Sequence, residues 1–241
     1  MLEETAGAIG AALGALDDWG LAGTIPGQYR SDIAADAAAV ELLVSRGLGV
    51  LSEETGRHHP DRAITVVVDP LDGSTNASHG IPWYAISLCA VDGEGPVAAL
   101  VMNLASGTTF RAERGAGATV DGLPLTPSPK TALNTALVAL SGYPREYLGW
   151  YQFRALGAAA LDLCAVAAGV VDAYIDCSWN AHGPWDYLGG VLVCREAGAL
   201  VVDAEDRDLV TLEYTDRRTP VAAGTQALLD DAVAARRTLG H

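Results

Sequence analysis

The sequence predicts an α+β protein, with an antiparallel sheet in its first half and a mixed α/β sheet in its second. Three observations lead there. Apolar runs at 84–92, 96–103 and 108–112 follow one another with turn signals such as Asp92-Gly93 between them, the pattern of antiparallel strands. Strand and helix patterns alternate through the second half. The chain opens with helical periodicity at 3–18 and again at 32–46.

The second of these helices has Ser31 or Asp32 as N-cap and Gly47 at its end. Between the two helices, Gly20 to Arg30 reads as a Gly/Pro loop. Ile64 to Val68 is a β-branched run that ends at Asp69, which predicts a buried strand. Asp121-Gly122 marks another turn, and the Pro-rich piece Pro124 to Pro129 is the best boundary. It divides the chain into 1–127 and 128–241, two halves of one unit. The second half reads as strands near 135–140, 171–175, 199–203 and 220–223, with helices near 157–168, 186–197 and 225–238.

With 241 residues, half of them hydrophobic, the chain has ample material for a core. Thirty Asp and Glu against fifteen Lys and Arg give a formal charge of −15. A surface so acidic repels nucleic acid, and no basic block offsets it, so no nucleic-acid partner is expected. The longest apolar stretch, Leu156 to Ile175, is broken by Asp162 and Asp172 and reads as a core helix and a strand rather than a membrane span. The four cysteines are widely spaced, with no metal-site spacing, and read as buried reduced thiols. The first ten residues lack the basic start of a signal peptide, so the cytoplasm is the expected location.

Chemistry concentrates in three places. The first is Asp69-Pro70-Leu71-Asp72-Gly73-Ser74-Thr75-Asn76. A strand ends at Asp69, Pro70 stiffens the corner, Gly73 permits a sharp turn, and Ser74 and Thr75 suit a helix start. Two carboxylates this close repel unless a cation lies between them, and a hard cation such as Mg²⁺ takes carboxylate and carbonyl oxygens, the Leu71 carbonyl included. Free amides of Gly73 and Ser74 at a helix start suit a phosphate. The second place is Ser52-Glu53-Glu54-Thr55-Gly56. The third is Gly183-Pro184-Trp185-Asp186, which opens a helix running to Glu196-Ala197-Gly198. Read alone, the second is an ordinary surface acid pair and the third an ordinary helix cap.

Together the three elements resemble the inositol monophosphatase family of magnesium-dependent, lithium-sensitive sugar phosphatases. Asp69 to Asn76 matches its D-P-[IL]-D-G-[ST]-x-N signature, Trp185 to Gly198 its W-D…E-A-G signature, and Glu53-Glu54-Thr55 its upstream acidic element. The resemblance implies a layered αβαβα fold, a homodimer, two or three Mg²⁺ ions and hydrolysis of a small phosphate monoester. It implies that Glu53, Asp69 and the Leu71 carbonyl hold one metal, that Asp69, Asp72 and Asp186 hold another, and that Glu53 helps a third. Asp36, in Ala34-Ala35-Asp36, matches the family's T-x-x-D acid, so Asp36 and Ser74 are expected to activate the attacking water. Gly157-Ala158-Ala159 matches a stretch that meets the sugar, and Asp176 an acid that bonds a substrate hydroxyl.

Several positions depart from the family pattern. Ser74 replaces the commoner Thr, Ala158 replaces a Ser or Thr, and the loop before Asp36 holds Arg30 but no Lys. His58, His59, His79 and His182 lie in expected loops and read as bystanders, His182 the least safely. The expected substrate is inositol 1-phosphate, with histidinol phosphate, fructose 1,6-bisphosphate and 3′-phosphoadenosine 5′-phosphate as alternatives. A bisphosphate needs cationic side chains near the pocket, and Arg154 is the candidate. A reading of another class is a regulatory binding protein that keeps a residual phosphatase site.

Overall fold

The computed structural model describes residues 1–23 and 28–240. The middle of the Gly/Pro loop, residues 24–27, lies outside the described residues, so the expectation for that loop is met only at its ends. Two helices open the chain, α1 (Leu2–Gly14) and α2 (Arg30–Ser45). The first ends four residues earlier than its periodicity predicts.

An eight-stranded sheet follows: β1 (Gly49–Ser52), β2 (Gly56–His58), β3 (Thr65–Asp72), β4 (Ala85–Asp92), β5 (Gly95–Asn103), β6 (Thr109–Glu113), β7 (Gly117–Val120) and β8 (Leu123–Pro124). Their spatial order is β2-β1-β3-β4-β5-β6-β7-β8. Every pairing is antiparallel except β1 with β3, which run parallel. A short helix, α3 (Ser74–His79), interrupts the sheet between β3 and β4.

The second sheet is mixed and has five strands, ordered β10-β9-β11-β13-β12. They are β9 (Leu137–Ser141), β10 (Gln152–Arg154), β11 (Ala173–Asp176), β12 (Leu200–Asp203) and β13 (Pro220–Ala223). Helices α4 (Ala159–Ala167), α5 (Pro184–Ala197) and α6 (Gln226–Thr238) complete the chain. Helices α1 and α2 cover one face of the first sheet, α4 and α5 pack between the sheets, and α6 covers the far face of the second. This is the layered αβαβα arrangement.

Three buried apolar clusters correspond to these layers. Ile9, Leu43 and Val66 sit under α1 and α2; Leu163, Tyr187 and Val191 lie between the sheets; Val138, Ile175 and Leu228 lie under α6. The central layer packs closely because its residues are small. A methyl added at Gly190 would come within 2.6 Å of Leu163 Cβ, so α4 and α5 meet almost backbone to backbone. Glu196 gives the E-A-G ending a structural role, since its two oxygens accept the N–H groups of Gly115 and Gly117 at 3.0 Å each and tie α5 to the β6–β7 turn. None of the described helices is long and apolar enough to cross a membrane. Cys89, Cys164 and Cys194 are buried free thiols as expected, while Cys177 is only half-buried.

Candidate active site

The site is built where β3 leaves the first sheet. All eight residues of β3 are buried, as its Val-rich run requires. Pro70 has no N–H to give to β4. Pairing therefore breaks at this point, jumping from Asp69↔Ser87 to Asp72↔Ala85. The bulge and the left-handed Gly73 (φ 85°) then turn the chain into α3, with Ser74 as its first residue. Asn76 pins the turn from below, donating to the carbonyls of Trp83 and Leu156 at 2.7 Å each. Asp186 comes from the start of α5, where it accepts the Gly183 N–H at 2.6 Å.

The carboxylates of Asp69, Asp72 and Asp186 converge, with one oxygen of each within 4.8 Å of the others. Each also accepts a backbone N–H: Asp69 from Leu71 at 3.0 Å, Asp72 from Ala160 at 2.8 Å, Asp186 from Gly183. Glu53 lies against the cluster. Burial first, then repulsion from Asp186, raises its pKa well above the carboxylate range. Burial and the neighbouring acids, Glu53 first, do the same to Asp69; burial and then Asp186 do so to Asp72. Acids gathered in this way need positive charge. Every donor is a hard oxygen, with no sulfur or imidazole in the group, so the residues present fit Mg²⁺.

A cavity of about 430 Å³ opens over this cluster, large enough for a small phosphorylated ligand. Asp32, Glu53, Leu71, Gly73 and Ser74 line it, together with Trp185, Tyr214 and Arg217.

The chain matches the model of the inositol monophosphatase family over residues 32–240. It belongs to that family. Membership makes it a phosphoric monoester hydrolase. A fructose-1,6-bisphosphatase/inositol-1-monophosphatase of Thermococcus kodakarensis is 35% identical over 215 residues, 86% of this chain and 81% of that protein. An inositol-1-monophosphatase of Caulobacter vibrioides is 35% identical over 205 residues, 75% of this chain and 77% of that one. A solved structure from Pyrococcus horikoshii, described by its similarity to inositol-1 monophosphatase, superposes with a TM-score of 0.84 at 27% identity, covering 97% of this chain and 94% of its own.

Three sets of residues expected at the site from the family resemblance lie outside the described lining of this cavity. Asp36 does not reach the cavity. It is 2% exposed, and its carboxylate accepts the Ser52 hydroxyl inside the protein. Asp32, one helical turn earlier, lines the cavity instead. One of its oxygens accepts the Tyr29 N–H at 2.9 Å, while Oδ1 is buried with no hydrogen-bond partner among the described residues. Burial is the main force holding its pKa up at about 6.

Gly157, Ala158 and Ala159 are not among the described lining residues. They stand behind the Gly73 turn, where Ala158 is 1% exposed. They pack against it: a methyl at Gly73 would lie 3.2 Å from both Ala158 Cβ and the Gly157 carbonyl.

Asp176 is fully buried and so presents nothing to a substrate. His182 covers it, with Nε2 at 3.5 Å from Asp176 and Nδ1 at 3.7 Å from Asp186. His182 is therefore no bystander. Burial opposes its charge, but the neighbouring carboxylates of Asp186 and Asp176 outweigh burial and raise its pKa to about 9. Its position four residues before Asp186 was the signal in the sequence. Tyr214 and Arg217, in the loop between β12 and β13, carry no motif, and sequence reasoning passed over them.

Proposed function

We propose that the protein hydrolyses a small phosphate monoester with Mg²⁺ held by Glu53, Asp69, Asp72, Asp186 and the Leu71 carbonyl. The observation that carries this reading is the convergence of the Asp69, Asp72 and Asp186 carboxylates on the floor of a cavity that Asp32 and Ser74 also line. Magnesium bound there supplies charge to neutralise the phosphoryl oxygens and to make the attacking water more acidic.

The chain's own groups do the rest. Asp32 Oδ1, without a hydrogen-bond partner among the described residues and with a pKa near 6, takes the proton of the attacking water. The Ser74 hydroxyl, which lines the same cavity, orients that water. The N–H groups that open α3 have no partner within the helix and receive phosphate oxygens. Asp69, Asp72 and Asp186 keep their positions because each is tied to a backbone N–H. The water attacks phosphorus, the P–O bond to the alcohol breaks, and a proton passes to the leaving oxygen. No covalent phosphoenzyme is required.

Inositol 1-phosphate and fructose 1,6-bisphosphate head the substrates, in line with the names of the Thermococcus and Caulobacter relatives. The same reading includes a homodimer working in the cytoplasm. Phosphate release from these two, histidinol phosphate and 3′-phosphoadenosine 5′-phosphate, each with and without Mg²⁺, tests it. Mg²⁺-dependent turnover of at least one supports it, and none with a folded, Mg²⁺-binding protein overturns it.

A further inference from the structure

Six carboxylates line the cavity, those of Asp32, Glu53, Glu54, Asp69, Asp72 and Asp186, and Arg217 is the one cation among the described lining residues. Arg217 does not pair with any of these acids. Its guanidinium carbon lies 4.9 Å from the centroid of the Trp185 ring. Nη1 donates to the carbonyls of Tyr214 and Asp216 at 2.8 Å each. Among the described residues, Nε and Nη2 have no protein acceptor.

Tyr214 completes a shelf. Its ring is 5.1 Å from that of Trp185, and its hydroxyl donates to the Glu53 carbonyl at 2.8 Å. The shelf is thus fastened to Glu53 on one side and to the residue before Asp186 on the other. Its stacked guanidinium has been placed before any ligand arrives, so little conformational entropy remains to be lost on binding.

We propose that Arg217 determines substrate choice, its free N–H groups binding a second phosphate carried by the leaving alcohol. This rests on the phosphatase reading of the carboxylate cluster. With the scissile phosphate over the cluster, the alcohol extends across the cavity toward the Trp185–Tyr214 shelf. A second phosphate in this cavity is repelled by its carboxylates, and the guanidinium is the cation among the described lining residues that offsets that repulsion. A planar guanidinium also suits a phosphate geometrically, by two parallel hydrogen bonds. Arg154, the cation expected from the sequence, does not serve: it is on exposed β10 and donates to the Phe153 carbonyl at 2.7 Å and to Gln152 at 3.3 Å. The enzyme therefore acts on a bisphosphate better than on the monophosphate of the same skeleton.

The test compares kcat/KM for fructose 1,6-bisphosphate and fructose 1-phosphate, in the wild type and in Arg217→Gln and Arg217→Lys, with thermal melts to confirm folding. The expected wild type prefers the bisphosphate. In Arg217→Gln that preference drops about tenfold or more, mostly through KM, and Arg217→Lys restores part of it. If Arg217→Gln fails to fold, the smaller drop in Arg217→Lys carries the test. A wild type with no preference, or variants that lose activity equally on both substrates through kcat, overturns the assignment and leaves Arg217 a support for the loop. A wild type that hydrolyses neither these two nor inositol 1-phosphate removes the phosphatase reading, and this assignment with it.

Discussion

The backbone N–H of Ala160 donates to a carboxylate oxygen of Asp72 at 2.8 Å, across 88 residues of sequence. It is one of the N–H groups that the first turn of α4 leaves without a partner inside the helix. Helix α4, packed between the two sheets, therefore holds an acid of the first. The small residues just before it, Gly157 and Ala158, let the helix approach the Gly73 turn closely enough for this bond.

Gly73→Ala tests that close approach. The new methyl meets the Trp83 carbonyl at 3.1 Å and Ala158 at 3.2 Å, at a φ that disfavours side chains. The expected loss is about 1–3 kcal/mol in urea unfolding, accompanied by weaker Mg²⁺ binding. Unchanged stability and metal affinity would contradict the packing argument.

Asp32 and Asp36 should separate catalysis from stability. Asp32→Asn is expected to lower kcat by on the order of 10²–10⁴-fold while the melting temperature and Mg²⁺ binding stay near wild type. Asp36→Ala is expected to cost about 1–3 kcal/mol, because the buried Ser52 hydroxyl loses its acceptor. Steady-state kinetics beside thermal melts would show the reverse if Asp36 were the base.

Asp162, beside the metal cluster but not among its converging carboxylates, gives a pH signature of its own. It is 1% exposed and accepts the Trp83 indole N–H at 2.8 Å, and burial raises its pKa to about 7. The folded pKa is above the unfolded one, so folding favours the protonated form. Stability is fully present below about pH 4 and is lost as pH rises through about 7. Asp162→Asn removes this titration and keeps an oxygen for Trp83. Its melting temperature should fall less than that of the wild type between pH 5 and pH 8, and identical profiles would rule this out.

The layers and the residues of the acidic cluster were legible because local rules decide them. A Val run, a proline and a glycine define the β3 turn wherever they occur, and helix starts announce themselves through residues such as Pro184. What the sequence hid depended on helical phase or on distant packing. Asp32 and Asp36 are four residues apart and share one helix face, so periodicity alone cannot say which of them reaches the cavity. Short strands such as β1, β2 and β10 owe their pairing to neighbours rather than to their own three or four residues. Asp176 matches an acid that binds substrate, yet His182 covers it, and nothing in either local sequence announces that contact. Arg217 acquires meaning only when the β12–β13 loop lies over Trp185.

The most direct measurement of the central claim is phosphate release from inositol 1-phosphate and fructose 1,6-bisphosphate across a Mg²⁺ titration, for the wild type and Asp72→Asn. The substituted side chain keeps an oxygen for the Ala160 N–H and replaces the other carboxylate oxygen, with its charge, by an amide NH₂ that cannot hold a cation. The expected wild type needs Mg²⁺ for turnover and melts at higher temperature when the ion is present. The expected variant folds, loses on the order of 10²-fold or more in kcat/KM, and gains little stability from Mg²⁺. Turnover that persists undiminished in EDTA, or a variant as active and as Mg²⁺-responsive as the wild type, would contradict the assignment of the reaction to this carboxylate cluster.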